Sequence, residues 1–236
     1  MSLQIGGLAK ISTVDFPGVL ACVVFLRGCD LNCFYCHNRR LIEGADHSGD
    51  LTEAQLWDFL EKRRGLLDGV VFSGGEPTLY PELPEALARA RALGYRVKLD
   101  TNGQNPDRVA EILRRGLIDY AAVDVKGSAE DYAALFGGGA DALDRVLQTL
   151  ELLRASGMDF EARTTLFPGL DGPALLALAE RMPRVPHWRL NFFRRPDPPR
   201  AGFEEALEAR VLTKNEITLL ERGLYAAQPG LIRETE

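Results

Sequence analysis

Three of the four cysteines in this 236-residue chain have a spacing that suits a metal site. Cys29, Cys33 and Cys36 follow one another as C-x3-C-x2-C, directly after an apolar segment. Thiolates on one short loop can bind three irons of a cubane iron–sulfur cluster, which leaves the fourth iron open for another ligand. Cys22 lies inside the apolar segment, so we interpret it as a small buried core residue and not as a fourth ligand.

Zinc is the rival metal for these cysteines. A Cys3His site could recruit His37, but adjacent Cys36 and His37 would hardly point at one ion. Zinc ligands with short spacings also tend to come in two pairs, and the sequence offers no second pair. The spacing therefore favours a cluster over zinc. A disulfide framework is disfavoured, because it would spread cysteines along a small secreted chain.

Polar segments follow three further apolar segments of the chain. They read SGGEP at residues 73–77, DTNG at residues 100–103 and DVK at residues 124–126. In α/β folds with parallel strands, the reacting groups lie at the carboxyl ends of the strands. The placement of these three segments therefore predicts an enzyme.

The elements that must position these residues alternate between strand and helix. Capping boxes are predicted at Thr52 with Gln55 and at Thr213 with Glu216. Repeated βα units imply a parallel sheet with right-handed crossovers. A full barrel needs ~250 residues, so we expect an α/β fold, a partial (open) TIM-type barrel of about six β/α units, in a single domain over residues 1–236. The predicted strands are 19–26, 69–72, 95–99, 120–125, 160–167 and 187–193, and the predicted helices are 52–64, 81–93, 107–115, 129–135, 142–156, 173–182 and 214–225.

Composition narrows the class of function. The net charge of -6 and the 26% of charged residues give no sign of a surface for nucleic acid or anionic membranes. No signal peptide is visible, and the apolar stretch at residues 19–26 is too short to span a bilayer. We expect a cytoplasmic protein without nucleic-acid or membrane partners.

The cysteine motif and the GGEP segment together resemble the radical S-adenosylmethionine superfamily, over nearly the whole chain. Further segments resemble the activases of glycyl-radical enzymes, and among them the longer form of the anaerobic ribonucleoside-triphosphate reductase activating proteins. The stretches that carry this likeness are DFPG at 15–18, CHN at 36–38, DTNG, DVK, Arg163 before Pro168-Gly169, GGLAKISTVDFPG, RRGLLDGVVFSGGEPTL and VKLDTNG.

The resemblance implies a set of cofactors and residue roles. Cys29, Cys33 and Cys36 would bind a [4Fe-4S] cluster whose fourth iron takes S-adenosylmethionine, and reductive cleavage would yield a 5′-deoxyadenosyl radical that abstracts hydrogen from a glycine of the partner. Gly74 and Gly75 would admit the methionine amino group, while Glu76 would orient it or brace the turn. The other implied cofactor contacts are Tyr35 and His37 near the adenine, and Asp100, Thr101, Asp124, Lys126 and Arg163 near the ribose, carboxylate or a cation.

A structural alternative exists for several of these polar residues. Asp100, Asp124, Lys126 and Arg163 could instead form buried ion pairs. Asn38 could fix the cysteine loop through side-chain-to-backbone hydrogen bonds.

One departure from the family bears on the partner. Pyruvate formate-lyase activating enzyme has a histidine after its last core strand, whereas residues 190–194 read LNFFR here, so Asn191 or an arginine would replace it. This argues against pyruvate formate-lyase as the partner. The resemblance implies anaerobic ribonucleoside-triphosphate reductase as the partner and a flavodoxin or ferredoxin as electron donor. Two alternatives remain: a radical enzyme acting on a small molecule, similar to 7-carboxy-7-deazaguanine synthase, and a non-catalytic metal-binding scaffold.

Overall fold

Strands and helices alternate along the computed structural model, which describes residues 2–43, 47–197 and 199–233. Eight strands form one sheet in chain order, from β1 to β8. The strands are β1 Ile5–Ser12, β2 Ala21–Leu26, β3 Gly69–Gly74, β4 Arg96–Thr101, β5 Tyr120–Asp124, β6 Phe160–Leu166, β7 His187–Phe192 and β8 Leu231–Arg233. The helices are α1 Arg39–Glu43, α2 Glu53–Lys62, α3 Leu83–Ala92, α4 Pro106–Arg114, α5 Ala129–Leu135, α6 Ala142–Ser156, α7 Gly172–Arg181, α8 Glu204–Leu207 and α9 Lys214–Ala227, with a 3-10 helix at Pro77–Leu79.

The predicted α/β class with about six β/α units is confirmed, and each predicted strand and helix is present within a few residues. Both predicted capping boxes form, at Thr52 with Gln55 and at Thr213 with Glu216. The prediction missed the two outer strands of the sheet. β1 pairs antiparallel with β2, and β8 pairs parallel with β7.

Contacts between Cα atoms group the chain into two compact units. Unit 1 contains Met1–Asp30, Asn38–Thr101 and Asn105–Ala122, and unit 2 contains Leu31–His37, Asn102–Gln104 and Val123–Glu236. The prediction of one domain over residues 1–236 stays a prediction. Within the described ranges, no helix combines the length and the apolar character that crossing a membrane requires.

The DFPG segment in unit 1 lies at the end of β2 away from the cysteines. Ser12 pairs with Ala21 at the start of β2, so the turn between β1 and β2 lies where the parallel strands begin. Phe16 of this turn is fully buried in a cluster with Val19 and Tyr120, and the Arg96 guanidinium lies 5.1 Å from its ring centroid. β2 has six residues, so the turn lies ~20 Å from the end of β2 that leads towards Cys29. The DFPG segment therefore covers the core of unit 1 at the end of the sheet where the parallel strands begin.

Replacing Phe16 with alanine should lower the free energy of unfolding by about 3–5 kcal/mol, because it leaves a ring-sized cavity under the sheet. Val14→Ala is a matched control in the same turn, since Val14 is 84% exposed and should change stability by less than ~0.5 kcal/mol. Urea denaturation of the apoprotein measures both. Equal midpoints for the two variants would contradict the assigned role of Phe16.

Candidate functional site

The cysteines of the motif differ in exposure. All four cysteines lie outside disulfides; Cys29 and Cys36 are partly exposed, whereas Cys33 and Cys22 are buried. Burial raises the pKa of Cys22 to about 12, so this thiol stays protonated at neutral pH and is a poor metal ligand. Its predicted place in the core is confirmed.

The geometry of the described side chains bears on metal binding as well. Across these residues, no three side chains of His, Cys, Asp or Glu stand close enough to hold one metal ion. Thiolates that bind separate irons of a cluster do not need to meet at one point. The predicted site residues are divided between unit 1 and unit 2.

In unit 1, the two glycines of GGEP allow the backbone to pass close to the start of the cysteine loop. A Cβ atom on Gly75 would lie 1.8 Å from the Gly28 carbonyl oxygen, and one on Gly74 would lie 2.3 Å from the Leu26 nitrogen. Gly74 also has a φ of +116°, which side-chain-bearing residues rarely adopt. The Glu76 N–H donates to the Gly28 carbonyl over 2.8 Å. The GGEP turn is thereby bonded to the residue that precedes Cys29.

Glu76 braces this turn. Its side chain is fully buried, and Oε1 accepts hydrogen bonds from the Thr78 N–H at 3.0 Å, the Thr78 hydroxyl at 2.5 Å and the Thr101 hydroxyl at 2.8 Å. Of the two roles predicted for Glu76, these contacts describe the brace. The Thr101 hydroxyl thus links the end of β4 to the GGEP turn, and its predicted contact with the cofactor stays a prediction.

Asp100 is paired with a buried lysine of the same strand. Lys98 has a side chain only 2% exposed, and its Nζ lies 3.0 Å from Asp100 Oδ1. The same ammonium donates to the Asp15 carbonyl at 2.5 Å. Alternate residues of a strand project to one face, which places both side chains together. Asp100 thus forms an ion pair, with a partner, Lys98, that the sequence analysis missed; its predicted contact with the cofactor stays a prediction.

His37 and Asn38 directly follow Cys36, the last cysteine of the motif. Asn38 Nδ2 donates to the Gly74 carbonyl at 3.2 Å, which is the predicted kind of side-chain-to-backbone contact. His37 is exposed. Its predicted position near the adenine stays a prediction.

In unit 2, Tyr35 lies inside an aromatic cluster. Its ring stacks on Phe167 at 6.0 Å between centroids and meets Phe136 edge-on at 5.6 Å. Phe34 packs on the same two rings. Burial raises the pKa of Tyr35 far above its usual range, so the phenol stays neutral. The residues between Cys33 and Cys36 thus anchor the loop in the core of unit 2.

Asp124 lies between two cations in unit 2. Its Oδ1 is 3.0 Å from Arg163 Nε and its Oδ2 is 3.2 Å from Lys126 Nζ. Burial alone would raise the pKa of Asp124, but the charges of Lys126 and Arg163 outweigh it and lower that pKa to about 2. Desolvation likewise opposes the charge on Lys126, yet Asp124 raises the Lys126 pKa well above its usual value. The three charges form a network with one net positive charge.

Lys126 and Asp124 lie on one side of the strand end, and Arg163 binds the Asp124 carboxylate, so the three residues form the ion pairs that the structural alternative predicted. Their predicted contacts with the cofactor stay predictions. Two cations around one carboxylate leave this edge of unit 2 suited to a further anionic group.

Asp124→Asn should destabilise the apoprotein by about 1–2 kcal/mol at neutral pH. This value lies between those typical of exposed and of buried ion pairs, because 35% of the Asp124 side chain is exposed. The folded pKa is depressed, so the stabilisation exists above the ordinary pKa of 3.8 and is lost as the pH falls towards 2. The difference between wild type and variant should therefore shrink between pH 4 and pH 2. Asp144→Asn, in a pair with Arg181 that is largely exposed, is the control; a pH-independent difference for Asp124→Asn would contradict the assignment.

Comparison with known proteins places these residues in a family. The model of the Radical SAM superfamily matches residues 23–182. A protein of Methanocaldococcus jannaschii, provisionally named a glycyl-radical enzyme activating enzyme (MJ1227), is 34% identical over 175 residues, which cover 71% of this chain and 70% of that protein. Pyruvate formate-lyase-activating enzyme of Clostridium pasteurianum is 33% identical over 154 residues, covering 63% of each chain. The 7-carboxy-7-deazaguanine synthase of Methanothermobacter thermautotrophicus is 31% identical over 176 residues, covering 67% of each.

Solved structures share the fold. A structure of TYW1 with a lysine-pyruvate adduct has a TM-score of 0.61 at 19% identity, covering 88% of this chain and 74% of that chain. Streptococcus suis SuiB bound to S-adenosylmethionine has a TM-score of 0.60 at 17% identity, covering 88% and 48%. At such identities the likeness concerns the fold, and it agrees with the predicted partial (open) TIM-type barrel.

Proposed function

Since this chain belongs to the radical SAM superfamily, whose members use a [4Fe-4S] cluster and S-adenosylmethionine, we propose that it activates a glycyl-radical enzyme. The observation that carries the proposal is the similarity to two proteins named as activating enzymes, at 34% and 33% identity. The chain spans 70% and 63% of their lengths. The proposed partner is anaerobic ribonucleoside-triphosphate reductase, because the sequence motifs resemble those of its activating proteins; the missing histidine argues against pyruvate formate-lyase.

The residues present fit the two cofactors. Cys29, Cys33 and Cys36 carry thiols outside any disulfide, which suits three irons of a cluster, and the lack of a Cβ at Gly74 and Gly75 lets the GGEP turn pack against the backbone of Leu26 and Gly28, which lead into Cys29. When bound, this pair of cofactors supplies reductive cleavage of the sulfonium and a radical that abstracts hydrogen from the partner's glycine. A flavodoxin or ferredoxin in the cytoplasm is the proposed source of the electron.

The chain's own residues would bind and orient S-adenosylmethionine. We assign the methionine amino group to the Gly74-Gly75 backbone, which the brace from Glu76 holds in place. The net positive network of Asp124, Lys126 and Arg163 suits the methionine carboxylate. Tyr35, His37, Asp100 and Thr101 complete the proposed cofactor contacts.

A small-molecule substrate is the second candidate. The 31% identity to a 7-carboxy-7-deazaguanine synthase over 67% of the chain favours it. In that case the chain would need no protein partner, and cofactor cleavage would depend on an added small substrate. No comparable similarity supports a non-catalytic scaffold, since the relatives described above are named as enzymes.

The test is anaerobic activation of the proposed partner. The cluster-reconstituted, reduced chain is mixed with S-adenosylmethionine and anaerobic ribonucleoside-triphosphate reductase, and the glycyl radical is followed by electron paramagnetic resonance alongside 5′-deoxyadenosine. A radical signal that is absent when the partner's target glycine is alanine supports the proposal. Cofactor cleavage with no radical on this partner or on pyruvate formate-lyase, together with turnover of an added small substrate in the absence of a protein partner, would replace it with the second candidate.

A further inference from the structure

An arginine from the segment after β7 contacts the cysteine loop in unit 2. Arg200 Nη1 donates to the carbonyl oxygen of Asn32 over 2.5 Å, across 168 residues of sequence. Asn32 immediately precedes Cys33. None of the roles described above involves Arg200.

The guanidinium is held in place by a column of rings. Its Cζ lies 4.2 Å from the ring centroid of Phe203, and Phe203 stacks on Phe34 at 6.1 Å. Phe34 in turn stacks on Phe136 at 6.3 Å. Cation–π contact and stacking each restrict the arginine, so its bond to the loop is part of a packed arrangement.

The loop backbone is bonded from the other side as well. The N–H of Asn32 donates to the Phe136 carbonyl at 2.8 Å, and the N–H of Phe34 donates to the Leu135 carbonyl at 3.3 Å. The end of α5 thus fixes two donors of the loop, while Arg200 fixes the carbonyl between them. Together these bonds determine the orientation of the peptide that joins Asn32 to Cys33.

This peptide links the arginine to the cluster ligand electronically. The carbonyl of Asn32 and the N–H of Cys33 belong to one peptide group, so a charge-assisted bond to the oxygen polarises the N–H towards a stronger donor. The reduction potential of an iron–sulfur cluster depends on nearby charge and on hydrogen bonds to its sulfurs. A fixed cation favours the reduced state, which carries one more negative charge.

We propose that Arg200 is a positioning residue for the cluster: it orients the Asn32–Cys33 peptide and raises the cluster's reduction potential. The inference rests on the family's cofactor and not on the identity of the partner. It therefore stands or falls separately from the proposed activation of a glycyl-radical enzyme.

The experiment compares Arg200→Ala, Arg200→Gln and Arg200→Lys with wild type in the full chain. Arg195→Ala is the matched control, because Arg195 lies in the same segment and pairs with Glu208 at 2.5 Å on the surface. The midpoint potential of the reconstituted cluster is measured by an anaerobic redox titration without S-adenosylmethionine. We expect about a tenfold lower ratio of reduced to oxidised cluster at fixed potential in Arg200→Ala, which is a shift of about -59 mV for one electron. Arg200→Gln, a neutral donor, should shift in the same direction by less, and Arg200→Lys and Arg195→Ala should stay near wild type.

A second measurement needs no cluster. In the apoprotein, alkylation of the buried Cys33 thiol should be several-fold faster in Arg200→Ala than in wild type, with circular dichroism unchanged and Cys22 still protected. Unchanged potential in cluster-loaded Arg200→Ala would overturn the electronic part of the proposal. Unchanged Cys33 alkylation would overturn the positioning part of the proposal. Because alkylation is measured on the apoprotein, it decides this part even if Arg200→Ala binds no cluster.

Discussion

Cys33→Ala should abolish formation of 5′-deoxyadenosine from S-adenosylmethionine. Cys33 is the middle thiol of the motif and is only 7% exposed, so no solvent ligand can easily take its place. Loss of a residue that merely supports a metal ligand costs 10–100-fold in affinity or activity, so loss of a ligand should cost at least ~100-fold. The assay is anaerobic reconstitution with iron and sulfide, reduction, and chromatographic detection of the product.

Cys22→Ala is the matched control for this experiment. Its thiol is fully buried in β2 and has a pKa raised to about 12, so it should not bind iron. We expect wild-type iron content and product formation, with stability lowered by about 1 kcal/mol. Equal loss of iron in both variants would mean that the effect came from folding, and full activity of Cys33→Ala would remove this thiol from the cluster.

Gly75→Ala should reduce cofactor cleavage by about 100-fold, the order of loss that a displacement of ~1 Å at a reacting site can cause. The new Cβ would lie 1.8 Å from the Gly28 carbonyl oxygen and 2.7 Å from the Gly28 carbonyl carbon. Both are backbone atoms, so the only relief is to move the segment that leads into Cys29. The variant is measured by iron content, by binding of S-adenosylmethionine and by product formation.

Gly49→Ala is the control for adding a methyl group to a glycine of unit 1. Among the described residues beyond its two chain neighbours, no heavy atom lies within 4 Å of a Cβ built at Gly49, so activity and stability should stay at wild-type levels. If Gly75→Ala also kept full activity, the close approach between Gly75 and Gly28 would have no functional importance.

The sequence was sufficient for features that depend on local chemistry. Thr52 and Thr213 each precede a helix and have a partner three residues later, and both capping boxes form. Cys22 sits in a continuous apolar run, and its burial was predicted correctly. The two outer strands were missed because their signals are weak: β1 begins IGG, without alternation of apolar and polar residues, and β8 has only three residues.

Contacts between distant segments could not be predicted in the same way. The pair of Lys98 with the Asp15 carbonyl spans 83 residues, and that of Arg200 with Asn32 spans 168. Nothing in the sequence near Glu76 indicated that one carboxylate oxygen would accept from both Thr78 and Thr101. Such partners are determined by packing in three dimensions, which a single sequence does not reveal.

The bond between the Glu76 N–H and the Gly28 carbonyl has a consequence for engineering. Two motifs separated by nearly fifty positions share this hydrogen bond and a close backbone contact, so the position of one depends on the other. A chimera that grafts only the cysteine loop from a relative would bring a Gly28 carbonyl fitted to a different turn. Grafts of the cysteine loop should therefore include the GGEP turn, and directed-evolution libraries should randomise the two segments jointly.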